Sequence, residues 1–170
     1  MDALDYLFSL EKIGIKFGLA NIAAICESLG RPQDAFRSVI VAGTNGKGSV
    51  TAMVEHAARA AGLRSARYTS PHLVDLEERF VVLGRPVDRR ALSDAAVLVR
   101  DHVARLLANE CLAASPTFFD VTTAMAFELF RRAGVEIAVL EVGMGGRFDA
   151  TNIVSPVAAA ISSIDLDHQA

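Results

Sequence analysis

The chain carries Val39-Ile40-Val41-Ala42-Gly43-Thr44-Asn45-Gly46-Lys47-Gly48-Ser49, an apolar run that breaks into a glycine-rich turn with one lysine. A helix-like segment, 50–61, follows it. Glycines let the backbone wrap closely around a phosphate group, so that successive N–H groups and the positive end of the helix dipole face its oxygens. Lys47 would add a mobile cation, and Ser49 would add a hydroxyl group for a metal ion. The stretch therefore predicts a cradle for the phosphates of ATP.

The generic phosphate-loop pattern, G-x-x-x-x-G-K-[ST], is met only in part. It would place Gly at position 41 and Ser or Thr at position 48, where this chain has Val41 and Gly48. The order of strand, turn and helix is nevertheless kept. The alternative interpretation is a glycine-rich turn between a strand and a helix, with a solvated lysine.

Composition narrows the class of protein. The 170 residues are 52% hydrophobic and carry a formal charge of -3, which suits one domain of ordinary size with a full core. Because there is no general basic field, we expect no nucleic-acid partner. Cys26 and Cys111 lack zinc-site spacing and are expected to be free thiols in a reducing cytosol. We find no secretory signal pattern and no apolar run of membrane-spanning length, so we expect a cytoplasmic protein without membrane contact.

Helical segments alternate with apolar strands, which predicts an α/β fold: a mostly parallel sheet with helices on both faces. The predicted helices are 3–10, 18–29, 47–61, 88–107 and 117–132, and the predicted strands are 38–42, 65–69, 79–83, 136–140 and 157–164. In such sheets ligands bind outside the carboxyl ends of the strands. We therefore expect the loops that follow positions 42, 69, 140 and 164 to meet.

Two side chains at these strand ends are candidate metal ligands. Glu141 closes a buried strand and could bind Mg²⁺ directly or through water, since this hard cation prefers oxygen ligands. The alternative is a carboxylate that accepts hydrogen bonds from loop N–H groups. His168 lies beyond the last strand, flanked by Asp165 and Asp167. It is either a ligand or a hydrogen-bonded structural histidine.

Two further segments allow more than one interpretation. The run 143–147 is glycine-rich but fails the dinucleotide pattern, because Phe148 takes the place of the final Gly. Arg147 could contact a phosphate or carboxylate, pair with Asp149, or be solvated. The run Thr117-Phe118-Phe119-Asp120 opens a helix, and by itself it favours an N-terminal cap followed by core aromatics.

Several of these motifs together resemble one family. The phosphate-loop segment 43–49 is similar to that of folylpolyglutamate synthase and bifunctional dihydrofolate synthase, which belong to the Mur ligase superfamily. The same holds for 70–73 (Ser-Pro-His-Leu), for the long segment 141–152 and for 163–168. The resemblance covers nearly the whole chain, and its motifs are long and occur in the family's order.

The resemblance implies a reaction. Such enzymes use ATP to phosphorylate a substrate carboxylate, and the amine of L-glutamate then attacks the acyl phosphate to form an amide. The implied cofactors are ATP and Mg²⁺, and the implied substrates are folate or dihydropteroate together with L-glutamate. A charged loop and a metal ion would neutralise the transferring phosphoryl group. For the full-length protein we expect a monomer.

The resemblance also assigns roles to individual residues. Lys47, Glu141 and His168 would be catalytic, and Ser70, Glu141 and His168 would bind Mg²⁺. The ATP phosphates would be held by Gly43, Thr44, Asn45, Gly46, Lys47, Gly48 and Ser49. The pteroate moiety would lie near Gly18, Leu19, Ala20, Asn21, Thr117, Phe118, Phe119, Asp120, Phe148, Asp149 and Ala150.

The chain also departs from the family pattern. Asp120 stands where Glu is frequent, and Asp165 stands where Gly is often found. Members of the family are much longer, whereas this chain stops two residues after His168. We therefore expect residues 1–170 to be a truncated N-terminal ATP-binding domain that lacks the C-terminal glutamate-binding domain and does not ligate alone. Its last strand should expose an unpaired edge.

Two alternatives to this function remain. The first is another Mur-type amide ligase, acting on a cell-wall precursor, although the segments 70–73 and 141–152 argue against it. The second is a stand-alone nucleotide-binding module without catalysis. It explains the short chain, but it does not explain why Glu141, His168 and the Ser70 loop occur together.

Overall fold

A computed structural model describes residues 3–14, 18–112 and 114–165 of the chain. The helices are α1 (Ala3–Ser9), α2 (Ala20–Ser28), α3 (Lys47–Ala60), α4 (Arg89–Ala108) and α5 (Phe118–Arg132). The strands are β1 (Arg37–Ala42), β2 (Ser65–Tyr68), β3 (Phe80–Val82), β4 (Arg85–Pro86), β5 (Ile137–Glu141) and β6 (Ala158–Ile161).

The six strands form one sheet in the order β4-β3-β2-β5-β1-β6. Strands β2, β5, β1 and β6 run parallel, whereas β3 and β4 are added antiparallel at one side. Val41 pairs with Glu141, and Ala42 pairs with Ile161. The carboxyl ends of the parallel strands therefore meet at one edge, which confirms the predicted mostly parallel sheet and the meeting of its loops.

Helices cover the two faces of the sheet unequally. The large core lies on the face that carries α1, α2, α4 and α5. Helix α3 covers the other face, where Val50 and Val54 pack on Val39, Val41 and Val139. Helix α5 is buried almost all round, because it contacts the sheet and three other helices. Its fully buried Phe127 and Phe130 each contribute roughly 1.5–3 kcal/mol through burial.

The strands and helices differ from the predicted bounds mainly at their ends. Asp88 and Thr117 are N-caps whose side chains accept a backbone N–H, so α4 and α5 begin one residue later than predicted. The predicted strand 79–83 is shorter, because Leu76–Arg79 forms a 3-10 turn. The short strand β4 lies outside the strands that we predicted.

Strand β6 ends at Ile161, three residues earlier than predicted, because the chain then turns to bond with the loop after β1. Within the described residues β6 pairs with β1 alone, so its outer edge is unpaired, as predicted. The side chains of Val157, Ile161 and Ile164 are exposed beside this edge. Of the helices in the described ranges, none is long and apolar enough to cross a membrane.

Candidate functional site

The glycine-rich loop joins β1 to α3 at the carboxyl edge of the sheet. Gly46 has the left-handed φ of 79°, and its carbonyl accepts the first helical hydrogen bond of α3, from Val50 N. Lys47 is the first residue of that helix, and its Nζ donates to Gly43 O at 2.9 Å and to Thr44 O at 3.2 Å. The loop thus combines a helix N-terminus with a cation held against it, which is the local chemistry of a phosphate site.

The segment that follows β6 holds this loop in place. Thr44 N donates to Ser163 O at 2.6 Å, and Ser162 Oγ donates to Asn45 O at 2.6 Å. The Thr44 hydroxyl donates to the Asp165 carbonyl and accepts from the Asp165 N–H, at 3.1 Å each. The conformation of the phosphate loop therefore depends on residues about 120 positions away.

Gly43 is required by this close approach. A Cβ at that position would lie 2.2 Å from Ser162 Oγ and 3.0 Å from Ser163 O. Its φ of 134° is also one that L side chains rarely adopt.

Glu141 ends β5 beside the phosphate loop and is buried, with 5% of its surface exposed. Its Oε2 accepts a hydrogen bond from Ser70 N at 3.1 Å. A Cβ on Gly48 would lie 3.6 Å from Oε2, which places the carboxylate against the start of α3. Burial raises the pKa of Glu141, while the Ser70 N–H and the charges of Lys47 and Arg79 oppose that rise.

Ser70 and Glu141 suit a magnesium ion chemically. They supply a hydroxyl and a carboxylate, the oxygen donors that a hard cation prefers. Glu141 Oε1 accepts no hydrogen bond from any described residue, so it is available as a ligand. The third implied ligand, His168, lies outside the described residues. Within the described ranges, no three His, Cys, Asp or Glu residues gather as a metal site.

A cavity of about 450 Å³ opens between the loops that follow β2 and β5 and the start of α5. It is mostly apolar, with a few charged groups, which is typical of a small-molecule site. Its lining comprises Leu10, Glu11, Gly14, Ser70, Pro71, Arg79, Thr117, Phe118, Phe119, Asp120, Gly143, Met144, Phe148, Asp149 and Ala150. The structure thus brings two of the three implied pteroate segments together. The third, 18–21, lies at the start of α2 and outside the described lining.

The segment 117–120 caps helix α5, and it also lines the cavity. Asp120 Oδ2 accepts from Thr117 N and Thr117 Oγ1 at 2.8 Å each, and Asp120 N donates back to Thr117 Oγ1. This capping box confirms the predicted helix cap. The two aromatics, Phe118 and Phe119, are only half-buried, and they form a wall of the cavity.

Asp149 organises the glycine-rich loop after β5. Its buried carboxylate accepts from Met144 N at 2.9 Å, from Thr151 N at 3.0 Å and from Thr151 Oγ1 at 2.5 Å. Burial raises the pKa of Asp149, and these hydrogen bonds oppose the rise. Arg147 is exposed and forms no ion pair with Asp149, which argues against that pairing and leaves both the ligand-contact and the solvated alternatives open.

Arg79 is the residue that sequence reasoning missed. It stands at the end of a 3-10 turn, is 8% exposed and lines the cavity. Its Nε donates to His72 Nδ1 at 2.9 Å, and its guanidinium carbon lies 5.2 Å from the centre of the Phe118 ring. The available signal was a charged residue at the head of the apolar run 79–83.

Known proteins resemble this chain along nearly its whole length. A probable bifunctional folylpolyglutamate synthase/dihydropteroate synthase of Halobacterium salinarum is 44% identical over 168 residues, which are 98% of this chain and 20% of that protein. The structure of Escherichia coli FolC in complex with DHPP and ADP is 34% identical, with a TM-score of 0.87 over 99% of this chain and 39% of that one. A bifunctional folylpolyglutamate synthase/dihydrofolate synthase with Mn, AMPPNP and L-glutamate bound is also 34% identical, with a TM-score of 0.87 over 100% of this chain and 40% of that one. No protein-family model matches the chain.

The mostly parallel sheet with helices on both faces defines the class: an α/β fold of the Mur ligase type. Over nearly its whole length, the chain is similar in sequence to folylpolyglutamate and dihydrofolate synthases, which confirms the resemblance seen in its motifs. The chain spans between 20% and 40% of the length of these proteins.

Proposed function

We propose that this chain provides the ATP-binding part of a ligase that joins L-glutamate to folate or dihydropteroate through an acyl phosphate. The observation that carries the proposal is one juxtaposition. The phosphate loop, the buried Glu141 and the Ser70 loop meet beside an apolar cavity of about 450 Å³. The ligands of the two related structures, which are nucleotides, DHPP and L-glutamate, support the same chemistry.

The reaction has two steps. In the first, a carboxylate oxygen attacks the γ-phosphorus of ATP and ADP leaves. In the second, the glutamate amine attacks the acyl carbon, phosphate leaves, and the amine loses a proton as the amide forms. The phosphate loop and Lys47 would bind the nucleotide and balance its charge. The cavity would hold the aromatic acid with its carboxylate directed to the loop, which replaces a bimolecular encounter by a positioned one.

Magnesium fits this arrangement. We assign Ser70 and Glu141 as ligands, with His168 as the third, and Lys47, Glu141 and His168 as the residues on which turnover depends. The bound ion would neutralise charge on the phosphates of ATP. The raised pKa of Glu141 is consistent with a buried carboxylate whose charge a cation would stabilise.

The remaining assignments complete the proposal. Segments 117–120 and 148–150 would contact the pteroate moiety through the cavity wall, and 18–21 would approach it from α2. Residues 1–170 would act as an ATP-binding unit beside a separate glutamate-binding domain, in a monomer. Both cysteines are free thiols, which agrees with a cytoplasmic location.

Calorimetry tests the proposal. The chain should bind Mg-AMPPCP and dihydropteroate, and Lys47→Ala should weaken nucleotide binding at least tenfold without unfolding the protein. Arg90→Ala, which removes an exposed positive charge on α4, should leave nucleotide binding unchanged. Undiminished nucleotide binding by Lys47→Ala would refute the phosphate-loop assignment. Binding of AMPPCP without dihydropteroate would favour a nucleotide-binding module, and a preference for muramoyl precursors would favour another Mur-type ligase.

A further inference from the structure

Arg79 carries a buried charge that the protein balances only in part. Its side chain is more than nine-tenths buried, yet no carboxylate oxygen of the described residues lies within salt-bridge distance. The only hydrogen bond that its guanidinium makes within the described ranges is from Nε to His72 Nδ1, a nitrogen that carries no negative charge. Burying a guanidinium without a carboxylate partner is costly, so a ligand that supplies acceptor oxygens would be bound strongly.

The surroundings of Arg79 hold its guanidinium in one plane. One face lies over the ring of Phe118, which itself stacks on Phe8 with a centroid distance of 6.3 Å. The bond to His72 fixes the Nε edge. The two Nη atoms then remain as donors without partners among the described residues, on a side chain that lines the cavity. A planar, pre-oriented fork of this kind suits bidentate contact with oxygen acceptors.

Arg79 also lies close to the reactive end of the site. Its backbone carbonyl accepts from Thr69 N at 3.1 Å, which sets Arg79 beside the residue that precedes Ser70. The Ser70 N–H is bonded to Glu141, and both Ser70 and Arg79 line the cavity. The charge of Arg79 also opposes the rise in the pKa of Glu141, so this guanidinium and that carboxylate act on one another within the same site.

We propose that Arg79 is a substrate-binding residue, whose Nη groups donate hydrogen bonds to an acceptor oxygen of the aromatic acid in the cavity. This inference rests on the proposed function, and it adds a residue that neither the motifs nor the family resemblance assigns. The acceptor is either the carboxylate that is to be activated or a carbonyl of the heterocyclic ring. Both are planar oxygen acceptors, and the experiment below separates them.

The test is calorimetric binding to the 170-residue chain and to its Arg79→Met and Arg79→Lys variants. The ligands are dihydropteroate and an analogue that lacks the carboxylate. Losing a charge-assisted pair of hydrogen bonds should weaken dihydropteroate binding by about 10- to 100-fold in Arg79→Met. If the carboxylate is the acceptor, the analogue should bind Arg79→Met as tightly as it binds the unsubstituted chain. Arg79→Lys should then recover part of the dihydropteroate affinity that Arg79→Met loses. If the ring carbonyl is the acceptor, both ligands lose affinity.

Two controls separate this role from a structural one. Arg89→Met removes an exposed charge that pairs with Glu77 outside the cavity, and it should bind both ligands normally. Mg-AMPPCP binding should change far less than dihydropteroate binding in every variant, because among the described residues no hydrogen bond or ion pair links Arg79 to the phosphate loop. If Arg79→Met does not fold, NMR on the unsubstituted chain provides the measurement. The chemical shift of the Arg79 Nε–H group should change when dihydropteroate is added.

The outcomes are distinguishable. Equal dihydropteroate affinity in the unsubstituted chain and Arg79→Met, or an unmoved Nε–H signal on saturation, overturns the role of Arg79 and leaves the proposed function intact. Failure of the unsubstituted chain to bind dihydropteroate, while it still binds Mg-AMPPCP, overturns both the ligand class and Arg79.

Discussion

The contact between Gly43 and the segment after β6 predicts a large effect of Gly43→Ala. The added Cβ would lie 2.2 Å from Ser162 Oγ, 3.0 Å from Ser163 O and 3.1 Å from Ser162 N. The loop must therefore open by about 1 Å, which costs roughly 1–3 kcal/mol as overpacking. The φ of 134° adds backbone strain of roughly 1–3 kcal/mol for a residue with a side chain. Together, these two costs should lower the free energy of unfolding by about 2–6 kcal/mol.

Urea unfolding followed by circular dichroism measures this loss, since the chain has no tryptophan for fluorescence. Nucleotide affinity, measured with Mg-AMPPCP, should fall as well, because the displaced loop no longer presents its N–H groups in register. Gly134→Ala is the matched control. Gly134 also has a positive φ, of 62°, but a Cβ there would meet nothing within 4 Å. Its cost should be the left-handed strain alone, about 1–2 kcal/mol, with nucleotide affinity unchanged.

A double variant separates the steric cost from the backbone cost. Ser162→Ala removes the nearest clashing atom, so Gly43→Ala with Ser162→Ala should recover part of the lost stability. Recovery should stay incomplete, because Ser163 O and the φ of 134° are unaffected. The reasoning is refuted if Gly43→Ala loses no more stability than Gly134→Ala and binds Mg-AMPPCP as tightly as the unsubstituted chain.

Three further predictions concern packing and titration, and urea unfolding checks each of them. Glu55 is buried on α3 and pairs with Arg67 at 3.3 Å, so Glu55→Gln should lower the free energy of unfolding by about 1–3 kcal/mol. Thr117→Ala removes the N-cap of α5 and should cost about 1–2 kcal/mol. Burial, and after it the charge of Arg105, lowers the pKa of His102 in the folded chain. The unfolded chain therefore binds a proton at His102 more readily than the folded chain does. Stability linked to His102 is therefore present above the ordinary histidine pKa and is lost as pH falls through it towards the folded-state pKa, and His102→Gln should flatten that loss.

Each of these predictions has its own control. Glu110→Gln changes an exposed carboxylate and should leave stability within about 0.5 kcal/mol; an equal loss in both variants would count against the buried pair of Glu55. Replacing Thr117 by Ser should keep the cap, so a loss as large as that of Thr117→Ala would point to another cause. For His102→Gln the control is the unsubstituted chain, unfolded in urea over the same range of pH. A slope that persists in His102→Gln would exclude His102 as its source.

Local sequence patterns predicted the strands, helix starts and caps of this fold well wherever adjacent residues themselves determine the local structure. The apolar run before Gly43 becomes a buried central strand, and α3 begins at the Lys that follows the left-handed Gly46. Thr117 and Asp120 form the cap that their types and spacing favour. The bounds were wrong where a contact distant in sequence intervened, as at β6, whose continuation turns away to bond with Thr44 and Asn45.

The candidate site divides in the same way. The glycine-rich turn and the helix that starts at Lys47 were predictable, because close backbone approach demands glycine and the relevant residues are adjacent in sequence. That this loop binds phosphate stays a prediction. Glu141 was predicted to lie at this edge from its position at the end of a buried strand, and its role as a metal ligand stays a prediction. The cavity and the burial of Arg79 were not predictable. The cavity walls come from the loops after β2 and β5, from residues 10–14 and from the start of α5, which are far apart in the sequence.

The sequence by itself therefore determined the kind of sheet, the glycine-rich turn before α3 and the similarity to folylpolyglutamate and dihydrofolate synthases. Each of these features is determined by residues that are adjacent in sequence or by a motif of fixed spacing. The tertiary structure alone decided that residues 162–165 hold the phosphate loop, that Gly43 must lack a side chain there, and that Arg79 is buried facing a cavity. The physical reason is that these properties arise from packing between segments far apart in the chain, and burial and desolvation depend on all the neighbours at once.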